Sequence, residues 1–219
     1  MSSLANKIDP EQVVMIFCGF LVAVTMREAA RAIVARGLGD RSLETGSRAT
    51  LNPLPHIDLV GTIILPLIFL SMGTPFLIGW AKPLVMDTRY FKNMKRDINL
   101  AELAGPGANF LIATLCAVAI TLIGYSPTQM FEGRDVAPRL LFAVAQGNIV
   151  IGIFNLLPFP HSSGWRLIKN NVNYNLSQSM DQHANIAYFL LFALLLTGIL
   201  SPLFHGAIGL FVFVVQILS

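Results

Sequence analysis

Charge is scarce in this sequence. Only 27 of its 219 residues carry a formal charge, 15 basic and 12 acidic, and this 12% is about half the roughly 25% of a soluble domain. With 54% hydrophobic residues and a mean hydropathy of +0.65, that scarcity excludes a soluble enzyme, a disordered chain and a coiled coil. Cysteine is scarcer still. Cys18 and Cys116 both lie in apolar stretches and are expected to be packing residues, not a disulfide framework. The segment Met1 to Lys7 lacks a basic n-region and a small-residue cleavage site, so no removable leader is expected. No chain of membrane-buried acids and no inverted repeat is evident, which disfavours a transporter or channel subunit. A net charge of +3 and a pI near 9.1 do not point to nucleic acid, because cytoplasmic loops beside anionic headgroups account for both.

What the sequence does have is long uncharged runs, at 12–26, 59–81, 103–131, 140–165 and 182–219. Several exceed the roughly 20 residues that cross a bilayer. The expectation is an all-α polytopic membrane protein, a single membrane-embedded domain over 1–219, with about five to six transmembrane helices. Spans are expected at about 11–35, 100–124, 139–157, 184–200 and 203–218. Gly37 and Gly39 stop the first, and Ser201-Pro202 turns the last two into a hairpin over about 184–218. Ten of the fifteen basic residues fall between 27 and 96, on both sides of 59–80. Both flanking loops therefore read as cytoplasmic. The segment between them is too short to cross twice, and Pro66, Gly73 and Pro75 interrupt it, so a broken re-entrant segment is expected there. A plain crossing at 59–80 would invert everything downstream.

Five motifs occur in order: Met26-Arg-Glu-Ala-Ala-Arg31, Thr50-Leu-Asn-Pro-Leu-Pro-His-Ile-Asp58, Gly79-Trp-Ala-Lys-Pro83, Leu103-Ala-Gly-Pro-Gly-Ala-Asn109 and Asn155-Leu-Leu-Pro-Phe-Pro-His-Ser-Ser-Gly164. Together they resemble the site-2 protease family of intramembrane zinc metalloproteases (peptidase M50-like), in its short bacterial form without a PDZ domain. The resemblance covers a core of about 15–170 and implies a bacterial cytoplasmic membrane location. In that family His-Glu-x-x-His on a transmembrane helix supplies two imidazoles at i and i+4 to zinc, and the Glu is general base on the metal-bound water. An Asp shortly after Asn-Leu-Leu-Pro is the third ligand.

Carried onto this chain, the three ligand positions hold Arg27, Arg31 and Ser163, and only the base position survives, as Glu28. A guanidinium stays protonated to pH above about 12 and has no lone pair for a metal. The resemblance so modified implies a pseudoprotease with a vestigial base, no metal and no cofactor. The simpler reading of the arginines is that they snorkel to the headgroups. The functional one is that they face the former active-site cavity and pair with Glu28, at i+3 for Arg31, and with Asp58.

Other readings stay open at this level. His56 either lines the cavity or caps backbone, and a metal site rebuilt from His56, His161 and Glu28 has suitable ligand types but no supporting spacing. A hydrolase built on His161 with Ser162 or Ser163 lacks a third group. His183 and His205 read as ordinary interfacial and helix residues. Gly105 and Pro106 allow close helix approach, while Asn109 and Asn155 either line a substrate-like groove or hold helices together. Trp80 and Trp165 read as interface anchors. The functional expectation is a scaffold that contacts membrane lipid and binds a partner transmembrane protein, or a second copy of itself, without cutting it; nucleic acid is not expected. The competing expectation is an active intramembrane metalloprotease with a non-standard metal site, cleaving a membrane-anchored regulatory protein.

Overall fold

The computed structural model describes residues 10–71, 77–126 and 135–218. The leader reading at Met1 to Lys7 and the interruptions at Gly73 and Pro75 lie outside them. The described residues are helical and contain no strand. Four helices are long and apolar enough to cross a membrane: α1 (Pro10–Leu38), α4 (Met94–Leu122), α5 (Val136–Leu156) and α9 (Ser201–Leu218). Between them run short helices, α2 (Leu43–Arg48), α3 (Leu65–Ser71), α6 (Ser163–Asn171), α7 (Tyr174–Gln182) and α8 (Ala184–Leu196).

Three differences from expectation have local causes. The fourth expected helix of the set, 184–200, ends as α8 at Leu196, because Gly198 turns the chain at φ +71. Its 13 residues rise only about 20 Å, short of the roughly 30 Å hydrocarbon core. The hairpin turn accordingly precedes Ser201-Pro202, which begins α9. Helix α4 starts six residues earlier than expected. Asn93 accepts the Arg96 N–H at 3.1 Å and donates its own N–H to Asp97 at 2.9 Å, a reciprocal cap that holds the polar first turn.

The segment after Asp58 turns into a π-helix over Leu59–Ile64, continues as α3, and returns beside its own start. Trp80 N–H donates to Gly61 O at 3.2 Å, Thr62 Oγ1 to Trp80 O at 2.9 Å and Lys82 N–H to His56 O at 2.9 Å. Leaving and returning at one place gives partners to backbone groups of the irregular turn, among them Gly61 O and His56 O.

Helices α1, α4 and α5 pack on one another to form the core, and α9 lies against α4 and α5. The closest approach is between α1 and α5. A Cβ at Gly19 would lie 2.2 Å from Ala143 O, and one at Gly147 would lie 2.6 Å from Gly19. Gly19→Ala is therefore expected to lower stability by about 1–3 kcal/mol through overpacking. Gly37→Ala, with nothing within 4 Å, should be neutral or mildly stabilising; thermal midpoints in one detergent compare the two. The outer faces of α4, α8 and α9 carry exposed apolar side chains such as Leu111, Phe189 and Leu210, which meet lipid.

One tether past the end of α1 sets the loops. Asp40 is buried and accepts from Ser42 N–H at 2.8 Å, Thr45 Oγ1 at 2.7 Å and Asp87 N–H at 2.9 Å. Burial alone would raise its pKa, but these three donors outweigh that and hold it below the ordinary carboxylate value. A depressed folded-state pKa contributes stability above the unfolded value and loses it as pH falls through the folded one. Asp40→Asn should thus cost about 1–2 kcal/mol at neutral pH. The gap from the parent protein should close below about pH 4, as pH-dependent melting would read.

Candidate functional site

The site forms where the second half of α1 meets the first turns of α4 and α6. Arg27, Glu28 and Arg31 follow the apolar run of α1, and all three are buried, as is Glu102 on α4. Arg27 Nη1 donates to Glu28 Oε1. Arg31 Nη1 donates to both Glu28 oxygens, at 3.1 and 2.9 Å, as the i, i+3 spacing allows. Arg31 Nη2 reaches across to Glu102 Oε1 at 2.7 Å, and Arg166 Nη1 of α6 meets the same oxygen at 3.1 Å. Five side chains from three helices thus form one ion-paired network.

Glycine makes room for it. A Cβ at Gly105 would sit 2.9 Å from Arg27 Cγ and 3.1 Å from Arg31 Cγ and Cδ, so the arginine stems lie directly on the α4 backbone. Next to it, Pro106 is buried inside α4. The network is not fully satisfied by protein. Arg27 Nε and Nη2, Arg31 Nε, Glu102 Oε2 and Ser163 Oγ are buried without a protein partner among the described residues.

The remaining predicted residues have other duties. Asp58 stays out of the network and caps the π-helix, accepting Val60 N–H at 3.1 Å and Gly61 N–H at 2.7 Å. His56 is buried, and its Nε2 donates to Thr50 O at 3.0 Å. Burial lowers its pKa by more than that bond raises it, so the imidazole is neutral at pH 7. Asn109 is buried where three helices meet; oriented by its neighbours, its amide donates to Ala23 O at 3.2 Å and accepts from Gly152 N–H at 3.3 Å. Asn155 donates to Ile151 O of its own helix at 2.8 Å. It also lines a cavity of about 360 Å³ with Asp58, Trp80, Phe159, His161 and Tyr188.

Neither alternative chemistry is assembled. Ser162 caps α6, accepting Trp165 N–H at 3.0 Å and donating to Leu157 O at 2.7 Å, while His161, at φ 68, is engaged by Tyr188. No serine–histidine pair results. Among the described residues no group of three or more His, Cys, Asp or Glu side chains could hold a metal, so His56, His161 and Glu28 do not come together as a ligand set.

Sequence reasoning missed Glu102, Arg166 and Arg48. Glu102 was traceable as the one acid at the head of an uncharged run three residues before Gly105. Arg48, counted among loop charges, is buried and donates to Pro55 O at 2.6 Å and to Lys82 O.

Several relatives are found by sequence, three of which follow. "Putative zinc metalloprotease YwhC" of Bacillus subtilis is 31% identical over 178 residues, covering 81% of this chain and 78% of its own length. The protein of the same description called Rip2 is 24% identical in Mycolicibacterium smegmatis, over 87% of this chain and 70% of that protein. In Mycobacterium tuberculosis it is 26% identical, over 89% and 71%. No family model and no solved structure matches the chain.

These names correct one expectation. A chain without a cofactor was expected, but its relatives are named zinc metalloproteases, which points to zinc. The side chains at 27, 31 and 163 do not fit that metal: two are guanidiniums engaged with carboxylates, and the third is a hydroxyl. Four apolar spanning helices and bacterial relatives make the chain a multi-pass integral membrane protein of bacterial type. An identity of the YwhC extent, carried on five motifs in their order, makes this chain a member of the site-2 protease family.

Proposed function

We propose that this chain is a non-cleaving member of its family, a scaffold whose groove holds the transmembrane helix of a partner protein or of a second copy. One observation carries the reading. Glu28, at the position of the family's general base, accepts three hydrogen bonds from Arg27 and Arg31, using three of its roughly four lone-pair sites. A carboxylate committed in this way has little left with which to take a proton from water. Whatever metal the chain takes up, positions 27, 31 and 163 offer it no ligand pair. Around them stand the α1, α4 and α5 core and the cavity beside Asn155 and Trp80, and these are what the scaffold reading uses.

The test has two arms. The protein is reconstituted in liposomes with a single-span, membrane-anchored reporter, and products are separated by electrophoresis. No cut product above background is expected, and Glu28→Gln should leave the pattern unchanged. Zinc-dependent cleavage that Glu28→Gln abolishes would overturn the proposal. In native membranes, a photo-crosslinker at position 155 should join the chain to a transmembrane protein or to itself. Adducts with lipid alone would remove the scaffold role.

A further inference from the structure

The buried part of the network is electrically balanced. Arg27 and Arg31 are matched by Glu28 and Glu102, and all four are nearly without solvent exposure. Arg166 is the surplus cation. It shares Glu102 Oε1 with Arg31, so that carboxylate is already neutralised by a closer partner, at 2.7 against 3.1 Å. Arg166 is also the exposed member, at 26%. Beyond Nη1, which serves Glu102 and Leu84 O, its donors have no protein partner among the described residues.

Arg166 lines a cavity of about 450 Å³, together with Leu84, Val85, Met86, Ile98 and Glu102 among others. Lys169 at its edge adds no free charge, because Asp181 holds it through both oxygens at 2.6 Å. The cavity lies at the Lys/Arg-rich end of α4 and α6, which the positive-inside rule assigns to the cytoplasmic face. One planar guanidinium with spare donors beside four apolar side chains suits an anion carried on a hydrocarbon chain.

We infer that this cavity is a binding site for the phosphate headgroup of an anionic phospholipid of that leaflet, held by Arg166 with its glycerol and first acyl carbons on Val85, Met86 and Ile98. Free phosphate shares the headgroup chemistry but would leave the apolar wall uncovered. The site is independent of whether the family's chemistry survives, since neither Glu28 nor Ser163 takes part.

The protein is purified into nanodiscs of phosphatidylcholine containing a minor fraction of phosphatidylglycerol. Retained lipid is then counted by native mass spectrometry after release from the disc. Phosphatidylglycerol is expected to be enriched on the protein, and Arg166→Gln should reduce the enrichment roughly tenfold, the size of one charge-assisted contact. Val85→Glu, which opposes the phosphate without touching the network, should do the same if Arg166→Gln fails to fold. Lys169→Gln should not. Equal retention of the two lipids by the parent protein would overturn the site. So would competition by millimolar inorganic phosphate, which would make the ligand a free anion.

Discussion

Glu102→Gln is expected to destabilise the protein by about 3–5 kcal/mol, the usual cost of stranding a buried charge. The carboxylate is 0% exposed and receives two guanidiniums from two different helices. Its neutral replacement would leave Arg31 sharing Glu28 with Arg27, so two buried cations would face one anion. Removing both charges together is a different matter. In Arg31→Met with Glu102→Met, Arg27 keeps Glu28, and Arg166 can turn into the adjoining cavity. The double variant should regain most of the loss, because the attraction within a buried ion pair is offset by its own desolvation. Unfolding in mixed detergent micelles, run as a double-mutant cycle, gives the coupling energy directly. A Glu102→Gln variant within about 0.5 kcal/mol of the parent, the scatter of ordinary surface changes, would mean that the network is not paired as described.

The cycle also shows which parts of the site could be read in advance. Arg31 and Glu28 are three residues apart on one helix, so their pairing follows from helical periodicity alone. Glu102 is 71 residues from Arg31, and nothing local marks the two as partners. What marks Glu102 is its cost: a lone carboxylate within an apolar helix needs a cation, and the arginines of α1 are what the core packing supplies. Asp58 failed as a partner for a local reason. It opens a helical segment, and the free N–H groups of Val60 and Gly61 both claim its Oδ1. The spans were legible because charge gaps and hydropathy speak to helix existence. Their ends were less so, since the Asn93–Asp97 cap and the turn at Gly198 depend on short-range polar geometry that hydropathy does not register.

A triple substitution, Arg27→His with Arg31→His and Ser163→Asp, is expected to raise bound zinc by one equivalent per chain over the parent protein. The physical case rests on charge and position. Arg27, Arg31, Glu28 and Glu102 sum to zero in the buried cluster, and replacing the arginines with neutral imidazoles leaves an anionic pocket that a divalent cation can neutralise. Positions 27 and 31 share one face of α1, which is the i, i+4 arrangement that two histidine ligands require. Position 163 opens α6, the helix that reaches the cluster one turn later through Arg166, and its Oγ is buried with no protein partner. The stems now lying on Gly105 would shorten, leaving space for the metal and a water. Three protein ligands and a water complete the tetrahedral shell that zinc takes at such sites, so the increment should survive gel filtration. Metal content by mass spectrometry, with Arg27→Ala in the same background as the ligand-deficient control, decides the matter. No increment over the parent would mean that the helices do not hold these three positions in ligating geometry, and the frame that the scaffold proposal uses would go with it.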